Sequence, residues 1–89
     1  MLEGKAMTRV KPVYPLRAKK LNALGTVKVR ITISEDGRVT KAKAISGHLA
    51  LREAAVEAAF KWVFYPTILN GVPTIVEGIL TFDFTASSR

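Results

Sequence analysis

The sequence predicts an α+β fold: a three-stranded sheet, antiparallel or mixed, with two helices packed on one face in the order α-β-β-α-β. The 89 residues suit one domain, and their apolar content of 48% is sufficient for a core. Residues 26–34 alternate apolar and polar side chains, as a half-buried strand does. Residues 49–62 repeat apolar side chains with helical periodicity.

The first helix is expected to begin after Tyr14-Pro15, since proline is tolerated at the first position of a helix. Gly25 is expected to cap its C-terminus. The apolar residues of this segment form a short stripe that should face the core, and they are Leu16, Ala18, Leu21, Ala23 and Leu24.

The next two segments are predicted to form a β-hairpin. Asp36-Gly37 lies between them and provides the positive φ that a tight turn requires. The first strand runs from Thr26 to Ser34, and its inward residues are Val27, Val29, Ile31 and Ile33. The second runs from Val39 to Ser46, with Lys41 and Lys43 outward and with an inward set of Ala42, Ala44 and Ser46.

The second helix is predicted over Leu49 to Trp62, after a Ser46-Gly47-His48 turn in which His48 caps the helix or fixes the turn. Its apolar face contains Leu51, Ala55, Ala58, Ala59 and Trp62, widened by Val56 and Phe60. The aromatic residues Trp62, Phe64 and Tyr65 are expected to close this end of the core, with Tyr14 packed against them. The alternative is that they form a stacking platform for single-stranded nucleic acid.

A long final strand is predicted from Thr74 to Phe84, after an Asn70-Gly71 turn and Pro73. Its core side holds Val76, Gly78, Leu80, Phe82 and Phe84, and its outer side holds Ile75, Glu77, Ile79, Thr81 and Asp83. Glu77 and Asp83 are expected to face basic residues of the first two strands.

The lengths of the connections and the handedness of the strand–helix–strand crossover predict a strand order of 2-1-3, in which the first strand is central and the third is antiparallel to it. The second and third strands are then the two edges of the sheet. Lys41 and Lys43 protect the second strand from pairing. The third strand has less protection, so its edge is a template for β-augmentation by a peptide.

Charge is uneven along the chain. The net charge is +7, from 14 basic and 7 acidic side chains, and the excess lies in residues 1–43. Such a basic half can bind nucleic acid, anionic lipid or another polyanion. An alternative hypothesis is therefore a module that binds nucleic acid or another polyanion through Lys19, Lys20, Lys28, Arg30, Lys41 and Lys43.

Catalytic patterns are not found in the sequence. There is no cysteine, and His48 is the one histidine, so a clustered metal site is not expected. The sequence has no phosphate-binding loop or dinucleotide fingerprint. We therefore expect a protein that is not an enzyme and that needs no cofactor.

Short motifs in a fixed order carry a resemblance to a known family. They are Tyr14-Pro15, Gly25-x-Val27-x-Val29, Asp36-Gly37-x-Val39, Ser46-Gly47-His48, Trp62-x-Phe64-x-Pro66 and Gly71-x-Pro73. In order and spacing they resemble the TonB C-terminal domain family, in its broad version with the Ser-Gly-His turn. The resemblance covers about four-fifths of the chain, Val13 to Phe84.

The resemblance implies a periplasmic module of an energy transducer. In that family a proton-driven inner-membrane motor acts on an N-terminal transmembrane helix, which is followed by a Pro-rich spacer. The C-terminal domain binds the TonB-box peptide of outer-membrane transporters by strand addition, and it transmits force for uptake. The transmembrane helix and spacer are not in these 89 residues, so the chain resembles an excised domain. Related domains also occur in other envelope proteins, so an alternative interpretation is that the chain is the TonB-like domain of such a protein.

The final strand and the lead-in are the predicted peptide-binding site. The residues are Lys11, Val13, Thr74, Ile75, Val76, Glu77, Gly78, Ile79, Leu80 and Thr81. The expected partner is the TonB-box peptide, and nucleic acid is not expected. Self-association through the open edges, giving a homodimer, is a third hypothesis. The expected divisions are a flexible lead-in or linker at 1–12, the domain at 13–85 and a C-terminal tail at 86–89.

Overall fold

A computed structural model describes residues 5–84 of the chain. Its elements follow in the order β1 (Ala6–Thr8), α1 (Leu16–Lys20), β2 (Gly25–Ile33), β3 (Val39–Ser46), α2 (Leu49–Phe60), β4 (Val63–Phe64), β5 (Thr67–Leu69), β6 (Val72–Thr74) and β7 (Val76–Phe84). The predicted α-β-β-α-β order is present as α1, β2, β3, α2 and β7. The four short strands β1, β4, β5 and β6 are additions to it.

The main sheet has three strands in the order β3-β2-β7, all antiparallel, which confirms the predicted 2-1-3 arrangement. β2 pairs with β7 over nine residue pairs, from Gly25 opposite Phe84 to Ile33 opposite Val76, without a register shift. The pairing of β2 with β3 contains two irregularities. The extra residues at both irregularities belong to β3, so β3 is bulged and β2 and β7 are regular.

The core lies between the sheet and α2. The inward residues of β2 are buried as predicted, with Val27, Val29 and Ile31 fully inaccessible. From α2, Leu51 and several alanines face them, and the small alanine side chains let the helix lie close to the strands. On β7, Leu80, Phe82 and Phe84 are buried, which confirms the predicted core side of that strand.

The first helix differs from the prediction. It spans only Leu16–Lys20, and it ends through Leu21 and Asn22, the latter with φ at 53°. Gly25 is the first residue of β2 and not a helix cap. Because the helix is short, only Ala18 and then Ala23 reach the core; the leucines of the stripe remain exposed, at 69% for Leu16.

Trp62 and Phe64 close the core as predicted, but Tyr14 and Tyr65 differ from the prediction, since the ring of Tyr14 contacts Phe84 instead of this cluster. Trp62 and Phe64 are buried and stacked, and Trp62 also meets Phe82 edge to face. Tyr14 packs against Phe84 at the far end of β7. Tyr65 is exposed, which corrects the prediction for that residue, because β4 ends at Phe64 and the chain then turns outward.

The described part of the lead-in contains a short strand, β1, that contacts the rest of the domain. β1 pairs with β4, and the Tyr65 N–H donates to the carbonyl of Lys5. Further along, the indole N–H of Trp62 donates to the carbonyl of Val10 at 2.8 Å. These bonds tie residues 5–10 to the end of the core. Residues 1–4 and the expected tail at 86–89 lie outside the described residues.

The predicted final strand is divided in two. β5 and β6 form a separate hairpin, and the Asn70-Gly71 turn between them has positive φ at both positions. Ile75 separates β6 from β7, so the long strand begins at Val76 and Thr74 belongs to the small hairpin. The second helix is likewise shorter than predicted, ending at Phe60, whose side chain is about half exposed.

Two glycines allow close contacts at opposite ends of the helix α2. A Cβ on Gly37 would lie 1.9 Å from the carbonyl oxygen of Phe64. A Cβ on Gly47 would lie 2.7 Å from the Val27 side chain and 2.9 Å from the carbonyl oxygen of Thr26. Both residues also have positive φ. The Asp-Gly and Ser-Gly-His motifs therefore serve packing at these two points.

Replacement of Gly37 by alanine should lower the free energy of unfolding by more than about 3 kcal/mol, because the added methyl group cannot coexist with the Phe64 carbonyl. Gly71→Ala is the matched control: its φ is also positive, but nothing lies within 4 Å of the added Cβ. That variant should lose only about 1–2 kcal/mol. Urea unfolding of both variants measures the difference, and equal losses would contradict the contact.

Candidate functional site

The two edges of the main sheet are built differently. β3 presents Lys41 and Lys43, both exposed, and its pairing with β2 shifts register near each end. Bulges and lysines on an edge strand both oppose the addition of another strand. The β3 edge is therefore protected, as the sequence predicted for its lysines.

The β7 edge is regular. All nine of its residues are paired in register with β2, and its other side pairs with no strand of residues 5–84. A long, straight edge of this kind leaves a row of backbone donors and acceptors without partners in the sheet. β7 is thus the candidate functional site of the domain.

Two contacts of β2 reveal which backbone groups of β7 face outward. The Thr32 carbonyl accepts a hydrogen bond from the Thr40 hydroxyl of β3 at 3.3 Å. The Thr26 carbonyl points at Gly47, just after β3. These even-numbered residues of β2 therefore direct their backbone groups toward β3. Since the direction alternates along a strand, Val27, Val29 and Ile31 direct theirs toward β7.

The register then assigns the free groups of β7. Phe82, Leu80 and Gly78 lie opposite Val27, Val29 and Ile31, and they use their N–H and C=O groups in the sheet. The residues between them, together with Glu77 and Asp83, turn the same groups to the open edge. The edge donors and acceptors therefore belong to Glu77, Ile79, Thr81 and Asp83.

Side chains alternate along the same edge. Ile79 is 44% exposed on the outer face of the sheet, between Glu77 and Thr81. On the core face Gly78 is half-buried and Leu80 is fully buried. An added strand would therefore meet one apolar and two polar side chains on the outer face, and a small and an apolar residue on the inner face.

The lead-in borders one end of this edge. Residues 9–12, together with Tyr14, Trp62 and residues 81–84 of β7, line a groove of about 360 Å³. Trp62 was not among the residues predicted for the site, and its position follows from its bond to the Val10 carbonyl. The groove is continuous with the stretch of β7 that carries the free backbone groups.

The predicted site residues fall into three places. Val76, Glu77, Gly78, Ile79, Leu80 and Thr81 lie together on β7, and Lys11 lies in the adjoining groove. Thr74 and Ile75 precede β7, in the small hairpin and at its junction. Val13 is exposed and lines a different groove of about 750 Å³, between α1 and α2.

The acidic residues of β7 do not pair with bases as predicted. Thr32 lies directly opposite Glu77, and Thr26 lies opposite Asp83 and donates to its carboxylate at 2.9 Å. Lys28 and Arg30 lie opposite Thr81 and Ile79 instead. Glu77 and Asp83 form no ion pair with these two bases. The basic excess of the sheet therefore has no partner on β7.

Residues 5–84 contain no group of three or more histidine, cysteine or acidic residues that could hold an ion. The His48 Nδ1 accepts the Ala50 N–H at 3.0 Å, so it caps α2 as predicted. The pKa of Asp36 is lowered by a hydrogen bond from the Ser34 hydroxyl, but this exposed turn lies away from the β7 edge.

Within the described range, no helix has the length and apolar character needed to cross a bilayer.

Comparison with known proteins decides the family. The family model described as Gram-negative bacterial TonB protein C-terminal matches residues 10–86. The chain belongs to this family.

Individual relatives agree with the family match. The chain is 40% identical over 67 residues to the protein TonB of Vibrio cholerae, covering 73% of this chain and 28% of that protein. It is 38% identical over 58 residues to TonB of Klebsiella pneumoniae, covering 64% of this chain and 24% of that protein. The chain thus spans about a quarter of the length of these relatives.

A solved structure agrees on the fold. The solution structure of the Pseudomonas aeruginosa TonB C-terminal domain matches with a TM-score of 0.75 and 28% sequence identity. The match covers 96% of this chain and 88% of that one. The two-helix, three-stranded architecture therefore belongs to the family, and the TonB-like domain resembles its relative over nearly its whole length.

Amide hydrogen exchange measured by NMR should reproduce the alternation along β7. The N–H groups of Gly78, Leu80 and Phe82 are bonded to β2, so they should exchange at least about tenfold more slowly than those of Glu77, Ile79 and Thr81. Protection in the opposite phase would contradict the assignment of the edge.

Proposed function

We propose that this TonB-like domain binds the TonB-box peptide of an outer-membrane transporter by adding it as a strand to the free edge of β7. The observation that carries the proposal is the regular nine-residue strand whose second side is unpaired within the described residues. In β-augmentation, backbone hydrogen bonds supply affinity and alternate side-chain positions supply specificity. Lys11 and the groove beside it border the end of the bound peptide.

The number of free backbone groups limits the affinity. Glu77, Ile79 and Thr81 each offer one donor and one acceptor to an added strand. Six such hydrogen bonds contribute about 1 kcal/mol each to the stability of the complex. The entropy that the peptide loses when it becomes ordered reduces this gain. Side-chain contacts with Ile79 add to it. The expected dissociation constant is on the order of micromolar.

The same geometry suits the transmission of force. A pull along the added strand loads its ladder of hydrogen bonds together, so that they must be sheared at once and not opened one by one. In the proposed mechanism, the chain is part of a longer protein held in the inner membrane by an N-terminal helix. A proton-driven inner-membrane motor acts on that helix, and the domain works in the periplasm on uptake through the transporter.

Replacement of Ile79 by proline should abolish peptide binding while the domain stays folded. Proline removes an N–H that faces the open edge, and proline is tolerated on edge strands at such positions. Titration of a TonB-box peptide into the labelled wild-type domain should shift amide signals of Val76 to Thr81 and of the lead-in near Lys11. The variant should show none of these shifts, because proline removes the central donor of the ladder and its ring obstructs the added strand.

Ile79→Ala is the matched control, because it truncates the same side chain and keeps the N–H. It should weaken binding less than Ile79→Pro. Equal effects of the two substitutions would assign the loss to the side chain, against strand addition. Peptide-induced shifts confined to α1 and α2 would contradict the site itself.

Pairing of two free edges would give a homodimer that competes with the peptide. Analytical ultracentrifugation across protein concentration should then show self-association that the TonB-box peptide reverses. A dimer that persists at saturating peptide would place the dimer contact elsewhere than the β7 edge. If the chain is instead the TonB-like domain of another envelope protein, the titration should show no binding of the TonB-box peptide.

A further inference from the structure

The outer face of the main sheet carries a compact group of positive charges, which we name the cationic face. It consists of the exposed side chains of Lys28 and Arg30 on β2 and Lys41 and Lys43 on β3. Neighbours along one strand are about 7 Å apart, and the directly opposite pair Arg30 and Lys43 is about 5 Å apart. Four like charges thus lie within a small, flat area.

These charges are not neutralised within the domain. Arg30 lies directly opposite Lys43, a like-charge pair that destabilises a sheet. Among the described residues, the ion pair found is between Arg38 and Asp36, and no carboxylate lies within ion-pair distance of the cationic face. The binding of an external anion would reduce the repulsion among these four side chains.

The chemistry of the surrounding surface restricts the anion. The other exposed residues on this side of β2 and β3 are threonines and Ile45, with no aromatic ring for base stacking. Recognition of single-stranded nucleic acid commonly uses such rings. Both grooves described above lie on other surfaces of the domain. A lysine-rich sheet surface of this kind suits an array of phosphate groups.

We propose that the cationic face binds reversibly to the phosphate headgroups of an anionic lipid membrane. The net charge of +7 draws the whole domain toward such a surface, and the four clustered cations orient it. This interaction is independent of the peptide-binding edge and goes beyond the function proposed above.

The charges of β7 set the tilt of the domain on the membrane. Glu77 and Asp83 lie on the same outer face as the cations, but on the opposite side of β2. Anionic headgroups attract the β3 side of the sheet and repel the β7 side. We expect the domain to tilt so that the β7 edge lies farther from the lipid than β3, which leaves that edge open to a peptide.

Binding of the 89-residue chain to vesicles tests the proposal. The chain should co-sediment with vesicles of phosphatidylcholine and phosphatidylglycerol, but not with phosphatidylcholine alone, and the binding should weaken steeply with salt. The variant Arg30→Gln/Lys43→Gln should have a partition coefficient onto these vesicles about 25-fold lower than the wild type. Each basic residue near an anionic surface raises that coefficient about fivefold.

The control variant is Lys20→Gln/Lys61→Gln, which removes two equally exposed charges from other surfaces. It should stay within about threefold of the wild type, because distant charges are screened. A spin label on the lipid headgroup should broaden the amide signals of Lys41 and Lys43 more strongly than that of Ile79. Circular dichroism and thermal unfolding verify that both variants are folded.

Three outcomes would overturn the proposal. The first is the absence of phosphatidylglycerol-dependent binding. The second is an equal loss in the two double variants, which would reduce the effect to net charge. The third is binding of a single-stranded oligonucleotide that depends on Arg30 and Lys43 without binding to vesicles. No peptide is present in these assays, so their result is independent of the peptide titration.

Discussion

The contact between Gly37 and Phe64 is the constraint on which the rest of the structure depends. The Phe64 N–H donates to the Gly37 carbonyl at 2.8 Å, and the Phe64 carbonyl occupies the space where a Cβ of Gly37 would lie. The contact brings the chain that leaves α2 back to the turn between β2 and β3. Because β2 ends beside this turn, β7 can begin opposite Ile33 and remain in register to Phe84.

A second close approach holds the other end of α2. Gly47 lies against Val27 and the Thr26 carbonyl, and His48 then caps the helix. With both ends fixed, the alanines of α2 can pack at short distance on β2 and β3. The helix covers mainly these two strands, while the lead-in, tied to Trp62, lies beside the C-terminal part of β7. Because α2 and the lead-in cover these parts of the sheet, the outer edge of β7 stays unpaired with any other strand of the described residues.

The sheet separates two kinds of surface by backbone regularity and by charge. β3 is bulged and rich in lysine, so its edge resists pairing and its outer face is cationic. β7 is regular and carries two acids, so its edge can accept a strand and its face is repelled by anions. Strand addition and membrane contact are therefore proposed for opposite sides of β2, and one does not obstruct the other.

The sequence by itself determined the alternation of β2, the hairpin at Asp36-Gly37, the cap at His48, the core side of β7 and the family, because these depend on local periodicity, turn chemistry and ordered motifs. Only the tertiary structure decided that the leucines of α1 are exposed, that Tyr65 leaves the core and that a small hairpin precedes Val76. It also decided which backbone groups of β7 face outward. Side-chain alternation identifies the two faces of a strand, whereas the direction of its N–H groups is fixed only when a neighbouring strand pairs with it.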